Sequence, residues 1–369
     1  MTAQANPYQQ RATSTQPNLM TALEITTANE LQAYLLQGTS RTFALTIPQL
    51  PPALRAVVSN AYLLCRIVDT IEDEPRLSPA QKRYFGEQFI AVVAGEFPAE
   101  PFATELAPLL SDSTLPEERE LVRYTPDVIR ITQSFTEPQR EALHSCVAVM
   151  GAGMVEFQEA PPACGLANLA ELDRYCYHVA GVVGVMLTKL FCEYSPAIAQ
   201  HREVLMSLAV SFGQGLQMTN ILKDLWDDKA RDACWLPQDV FVAAGFDLKN
   251  LKPDSYDEHF GAGLGQLIGI AHGHLKNALS YTLLIPKHEP GIRQFCLWAI
   301  GMALLTLRKI NRHRDFNTGQ QVKISRRSVK ATIIASRLAV SNDVMLRSLF
   351  RVAAMPLPGN NLPSQVIQS

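Results

Sequence analysis

Charge is scarce in this chain of 369 residues. Asp, Glu, Lys and Arg make up 18 % of it, against about a quarter in an average soluble domain. The net charge is only −2, so the basic footprint of a nucleic-acid binder is missing. The sequence also lacks any C-x-x-C pair. Its seven cysteines, Cys65, Cys146, Cys164, Cys176, Cys192, Cys234 and Cys296, are odd in number and scattered. Neither a disulfide framework nor a zinc site is expected, and a reducing, cytoplasmic compartment fits. No basic-then-apolar leader opens the chain, so no secretory signal is expected. The longest apolar run, residues 295–307, is shorter than the ~20 residues needed to cross a bilayer. No transmembrane anchor is expected, which still leaves room for peripheral contact with a membrane. No G-x-G-x-x-G fingerprint occurs, which excludes a dinucleotide site of the Rossmann kind. Strand punctuation, internal repeats and dividing linkers are absent too.

What is present is apolar and helical. Hydrophobic residues reach 47 %, and their spacing follows a helical period nearly from end to end, which points to one all-α domain. Residues 1–28, rich in Gln, Thr, Ala and Asn, suggest a disordered tail. Asn29 is placed to cap a first helix ending at Gly38. Prolines mark later helix starts at 52, 79, 126, 138, 196 and 237, and Pro75 ends the helix that begins at Pro52. Further helices are expected over about 169–192, up to Asp228, over 255–284 and 290–311, and after Ser325. The expected domain covers 29–355, with a second flexible tail over 356–369.

Two acidic clusters stand at the ends of apolar helices. The first is Asp69-Thr70-Ile71-Glu72-Asp73 and the second is Asn220-Ile221-Leu222-Lys223-Asp224-Leu225-Trp226-Asp227-Asp228. Residues four apart share a helix face, so Asp69 pairs with Asp73, and Asn220 with Asp224 and Asp228. One such cluster alone is usually a solvated face. Two emerging from apolar helices suggest a cage for hard cations, and magnesium leaves coordination positions for phosphate oxygens. The chemistry suggested is metal-assisted ionisation of a diphosphate.

Other features carry two readings each. Gly181 and Gly184, after Tyr175-Cys176-Tyr177-His178, allow close approach of either a helix or a ligand chain. Ser40-Arg41 suits either a phosphate site at a helix start or an ordinary cap. Lys323, Arg326 and Arg327 form a basic patch. Phe295, Trp298, Met302 and Leu305 make an apolar stripe, as a core or a channel wall would.

Taken in order along the chain, these segments resemble the squalene/phytoene synthase family, the trans-isoprenyl diphosphate synthases that join two prenyl chains head to head. Ser40-Arg41-Thr42-Phe43 resembles its S-R-[ST]-F opening, and 69–73 its first aspartate-rich motif, with Tyr62 and Arg66 one and two turns before. Asp173 to Gly184 is similar to D-x-Y-C-x-x-V-A-G-x-V-G, and Gln217 to Asp224 to Q-x-T-N-I-x-[RK]-D. The resemblance covers about residues 38–330. Phe295-Cys296 and Val322-Lys323-Ile324-Ser325-Arg326 resemble segments of the squalene-forming branch. No counterpart of the C-terminal membrane helix of eukaryotic members is seen, which suggests a bacterial-type form.

The resemblance implies an isoprenoid-synthase helical bundle around a central channel. It implies a farnesyltransferase that joins two farnesyl diphosphates with Mg2+, then reduces the product with NADPH to squalene, serving sterol or hopanoid synthesis. Asp69, Glu72, Asp73, Asn220, Asp224 and Asp228 would hold magnesium. Ser40, Arg41, Arg66, Lys223, Gln217 and Tyr62 would line the diphosphate site, and Tyr175 would transfer a proton. Phe43, Ala180, Gly184, Phe295, Cys296 and Met302 would shape the prenyl channel, and Lys323 and Arg326 would contact NADPH. No obligate protein partner is implied. The alternatives are a dehydrosqualene or phytoene synthase without hydride transfer, and an inactive helical assembly factor. Two positions depart from the family pattern. Asp232 and Ala233 stand where glycine and arginine are common, and Ser325 where a basic residue is common.

Overall fold

A computed structural model describes residues 22–40, 42–158 and 163–359. Among them the chain is helical throughout, and a single bridge between Leu166 and Pro237 is the only strand-like pairing. The long helices are α1 (Ala22–Thr39), α2 (Pro52–Asp73), α3 (Pro79–Ala94), α4 (Glu137–Gln158), α5 (Leu169–Tyr194), α6 (Arg202–Lys229), α7 (Glu258–Leu284), α8 (Pro290–Arg312), α9 (Arg326–Ala339) and α10 (Asp343–Ala354).

Local chemistry accounts for most of the boundaries. Pro52 occupies the first turn of α2, where its missing N–H costs nothing. Pro75 forces Glu74 out of the helical region, to φ −71 and ψ 113, so α2 stops at Asp73. Ser78 and Gln81 close a capping box at the start of α3, and Gly95 ends that helix in the left-handed region at φ 81.

Two of the boundaries differ from the sequence expectation. The first helix begins at Ala22, so Asn29 lies inside it. Its buried Leu31, Leu35 and Leu36 join the core around α2, and this packing outweighs the polar composition of its first turns. At the other end, two helices replace the single one expected. Asn342 breaks the run, and its side-chain oxygen accepts from the Met345 N–H to start α10.

The apolar residues form two main clusters. One is built on α2, α3 and α4, with Leu63, Leu64, Ile67, Phe85 and Phe89 almost wholly excluded from water. Each such side chain contributes roughly 1.5–3 kcal/mol. The other is built on α6, α7 and α8, through Leu222, Leu225, Leu264, Ile268 and Leu307. Val179 packs against both. The acidic motif of α2 therefore emerges from one cluster and that of α6 from the other.

Helices α5 and α8 are each long and apolar enough to cross a membrane by length and composition, although the continuous run at 295–307 is too short. Half of the apolar window in α5 and 61 % of that in α8 are buried inside the protein, as befits core helices.

Candidate active site

Both acidic motifs occupy the last turns of their helices. A helix carries about half a negative charge at its C-terminus, so the carboxylates add to a field that is already negative. Asp69 shows the result. Burial pushes its carboxyl up to about 6, against the lowering pull of Arg66, and Asp73 and Glu118 push it further up. Asp228 is raised by burial and by Asp224 and Asp73, while Arg231 opposes the shift. Asp224 is raised by burial, with Lys223 opposing.

Arg231 joins the two motifs. Its guanidinium lies 2.7 Å from Asp228 and 3.8 Å from Asp73, so one cation spans α2 and α6. Arg66 is held on the first motif, 3.6 Å from Asp69 and 3.6 Å from Glu118. It donates to the Tyr62 hydroxyl, which donates in turn to the Thr39 carbonyl. The Ser40 loop is thus linked to Asp69 through Thr39, Tyr62 and Arg66. Lys82 donates to the Glu72 carbonyl from α3.

The donor set is all hard oxygen, which suits magnesium. Yet among the described residues no three Asp, Glu, His or Cys side chains stand close enough to hold a metal by themselves. The side chains of the two motifs are therefore not preassembled into a metal site among the described residues, and Arg231 lies between them. A site of this kind is completed by oxygens that arrive with a ligand.

Tyr175 projects from the second cluster with 7 % exposure. Its ring stacks on Trp235 at 4.0 Å and 8°, and meets Phe157 edge-on at 5.2 Å. Burial raises its hydroxyl well above the usual phenol value, and Glu72, Cys176, Asp228 and Asp69 add to the rise. Carboxylates of both motifs thus act on the same hydroxyl. In this field Tyr175 keeps its proton at neutral pH.

The structure separates the other candidates. The Ser40 hydroxyl accepts from the Phe43 N–H, as a local cap does, and Phe43 packs its ring 5.1 Å from that of Tyr62. Arg41 lies outside the described residues. Asn220 accepts from Lys223 at 3.5 Å, and Lys223 pairs with Asp224 at 3.1 Å. Gln217 lies half-buried on α6, one turn before Asn220.

The glycines on α5 are packing residues. A Cβ on Gly184 would lie 2.2 Å from the Ala209 carbonyl oxygen, and one on Gly213 equally close to that of Ala180. Helices α5 and α6 therefore touch backbone to backbone. The channel role expected for Gly184 gives way to this contact, and the Ala180 carbonyl is occupied in the same way. His178 fills the space beside Gly153, with Nδ1 3.2 Å from the Val149 carbonyl. The segment of α5 that carries His178, Tyr177–Gly181, is a π-helix, a distortion frequent at functional sites.

Phe295 and Cys296 are buried in the first cluster. Met302 packs in a small third cluster with Leu279 and Trp298. It also lines, with Leu45, Val329 and Ile333, a crevice too narrow to admit water. Lys323 and Arg326 are exposed at the start of α9, remote in sequence from both motifs.

Several contributors escaped sequence reasoning. Lys82 and Glu118 carry no local signal. Trp235 follows the second motif by seven residues, in Trp235-Leu236-Pro237. Glu74 is fully buried, and its carboxylate accepts from the N–H groups of Arg76 and Ser111 and from the hydroxyls of Ser111 and Thr114. Burial alone would raise its carboxyl, but these donors, Thr114 first, hold it below the usual range. Glu74 thereby fixes the end of α2 and positions the first motif. Asp232 adopts φ 58: the turn after α6 needs a left-handed residue, and aspartate tolerates it better than most.

Comparison with known proteins bears on the fold and the family. The squalene/phytoene synthase family profile matches residues 36–328. Squalene synthase of Saccharomyces cerevisiae is 30 % identical over 315 residues, which is 82 % of this chain and 66 % of that protein. Squalene synthase of Eremothecium gossypii is 28 % identical over 281 residues, or 74 % and 60 %. The chain thus aligns with about three-fifths to two-thirds of the length of these relatives. Among solved structures, a ligand complex of TcSQS superposes with a TM-score of 0.68 at 21 % identity, covering 92 % of this chain and 93 % of that one. A dehydrosqualene synthase complex gives 0.62 at 18 %, covering 89 % and 99 %. These likenesses establish an all-α isoprenoid-synthase fold. With the profile spanning well over half of its length, the chain belongs to the squalene/phytoene synthase family.

Proposed function

We propose that this protein is a squalene synthase. It condenses two farnesyl diphosphates head to head into presqualene diphosphate, then reduces and rearranges that product to squalene. The observation that carries the reading is the meeting of two negative helix ends, spanned by Arg231 and acting together on Tyr175. Family membership supports the reaction class.

Asp69, Asp73, Asp224 and Asp228 would hold magnesium, with Glu72 and Asn220 beside them. Bound there, magnesium supplies Lewis-acid neutralisation of the departing diphosphate. Arg231, Arg66, Lys82 and Lys223 bring cations to the same face and receive diphosphate oxygens. Ser40, Arg41 and Gln217 would add contacts to the diphosphates, as the family resemblance implies.

The first allylic cation is attacked by the double bond of the second substrate. Closing the cyclopropane releases one proton from carbon. Tyr175 retains its own proton in the raised field, so it serves as a relay: its oxygen accepts the incoming proton as its hydroxyl proton passes to the released diphosphate. Stacking on Trp235 fixes the ring for that exchange, and the apolar surroundings keep water from the cations.

NADPH supplies hydride when bound. Lys323 and Arg326, exposed and without a carboxylate partner among the described residues, fit its phosphates. The reading places the protein in the cytoplasm or at a membrane surface, with residues 29–355 as the catalytic domain.

The test is incubation with farnesyl diphosphate and magnesium, with and without NADPH, followed by mass spectrometry of the lipid extract. Squalene only with NADPH, and presqualene diphosphate without it, is the expected result. A C30 product with a central triene regardless of NADPH would reassign the chain to dehydrosqualene synthesis. No product from the wild type, and no difference from Asp224→Asn, would refute catalysis.

A further inference from the structure

Exposed apolar side chains gather at one end of this molecule. Among the described residues fourteen large hydrophobic side chains are exposed, and seven of them lie between 334 and 355. Leu338 is 78 % exposed, Val344 75 % and Met355 72 %, so these are bare side chains rather than the rim of a core. On α10 and its C-cap Met355, the side chains of Val344, Leu349, Val352 and Met355 fall within one arc, opposite the buried Leu346 and Ala354. On α9, Ile334 and Leu338 are one turn apart on a single face.

The two helices are firmly seated. Arg293, fully buried on α8, donates to Asp343 at the start of α10, and Lys287 stands 3.4 Å from the same carboxylate. The Arg337 guanidinium lies 5.2 Å over the Trp298 ring. Asn311 donates to the Pro356 carbonyl just beyond α10. The outer face is therefore displayed on a fixed support.

Its charge is equally one-sided. Residues 316–355 contain seven Lys or Arg and one acid, Asp343, for a net +6. The whole chain carries −2, so the remainder carries −8. The one acid is consumed by Arg293 and Lys287. Arg327, Lys330, Arg347 and Arg351 are exposed and make no ion pair among the described residues.

We propose that the outer face of α9 and α10 docks on an anionic phospholipid bilayer. Bare apolar residues bordered by unpaired cations match the acyl boundary and the anionic headgroups respectively. A second copy of the chain is a poorer occupant. A two-fold interface pairs the same patch with itself, which would set net +6 against net +6.

The test is co-sedimentation of the full chain with vesicles of phosphatidylglycerol and phosphatidylethanolamine, against phosphatidylcholine vesicles. Binding is expected to the anionic vesicles and to weaken with salt. Each arginine neutralised should cost about fivefold in affinity, so Arg347→Gln with Arg351→Gln should lose about 25-fold. Leu338→Ser with Val352→Ser should also release the protein. All four positions are exposed, and unchanged thermal unfolding would confirm intact folds. Failure of the wild type to sediment, or equal binding by the variants, would overturn the proposal. So would a concentration-dependent dimer dispersed by the serine variant in the absence of vesicle binding. The measurement reads no turnover, so it stands or falls separately from the proposed reaction.

Discussion

The helix that carries the second acidic motif is held to its neighbour by a buried imidazole, and this makes stability depend on pH in a calculable way. His274 on α7 is 7 % exposed, and its Nδ1 lies 2.8 Å from the Ser211 hydroxyl on α6. Asn277 donates to the same Ser211 oxygen at 2.9 Å. With that oxygen accepting from Asn277, the serine proton is free to point at Nδ1. The proton of the neutral ring then sits on Nε2, which has no partner among the described residues. A second proton would place a buried charge with nothing to receive it. Burial accordingly holds His274 down at about 4, against an ordinary value of 6.5.

The sign follows from linkage. The unfolded chain protonates its histidine first as pH falls, so the contribution is fully present above 6.5 and is lost progressively down to about 4. A gap of about 2.5 units is worth about 3 kcal/mol, at about 1.4 kcal/mol per pH unit. Asp69, raised to about 6, works in the opposite sense over much of the same window, so the wild-type curve alone is a mixture. The informative quantity is the difference between wild type and His274→Gln in denaturant unfolding from pH 7.5 to 4.5. That difference should shrink by a few kcal/mol as the medium becomes acid. Parallel curves would show that His274 is not held neutral by its surroundings, and the argument would fail.

Three further outcomes test the frame of the site. Gly213→Ala places a Cβ where the Ala180 carbonyl stands, so it should cost about 1–3 kcal/mol in unfolding free energy; a change below about 0.5 kcal/mol would mean that α5 and α6 have room to spare. Asp232→Gly relieves a residue at φ 58 and should raise stability by up to about 1 kcal/mol, whereas Asp232→Val should lower the melting temperature. Glu74→Gln keeps the shape but weakens charge-assisted hydrogen bonds, at about 1.5–3 kcal/mol. Because the Glu74 carboxyl is held low, that wild-type advantage should vanish as pH falls through the carboxylate range, and a deficit that persists in acid would refute it.

The sequence displayed those parts of the fold that are governed locally. Pro52, Pro75 and the Ser78–Gln81 box bound α2 and α3 where expected, because each acts on the backbone within a turn. The aspartates stood out because four-residue spacing sets each group on one helix face and two such groups recur at the ends of apolar helices. The start of α1 was hidden, since its stability comes from leucines packing on a distant helix. Gly184 could have served a ligand or a helix, and only the position of Ala209 on α6 decides between them. Glu118 and Lys82 reach the motif through tertiary placement that no local pattern records. Arg231 follows the second motif by three residues, but nothing local marks it as the group that spans both motifs.

That span bears on the order in which the site fills. Two helix C-termini and their carboxylates create an electronegative cleft, yet no three of the described ligands converge on one point. A magnesium ion arriving alone would find one or two carboxylates and keep most of its water, and it would compete with Arg231 for Asp73 and Asp228. A diphosphate arriving alone would meet Arg231 and Lys223 but also the repulsion of the aspartates. Together they cancel each other's obstacles, since the metal neutralises the carboxylates and the phosphate oxygens complete its shell. Thermal unfolding should therefore respond little to magnesium or to pyrophosphate singly, and strongly to both. Ligand at a hundred times its dissociation constant adds about 2.7 kcal/mol, so the combined shift should amount to several degrees. Arg231→Gln should narrow the gap, by letting magnesium bind better alone and the pair bind less tightly. If magnesium alone produced the whole shift, the cleft would have to hold a preformed metal cage, and the placement of Arg231 between the motifs would have no part in controlling it.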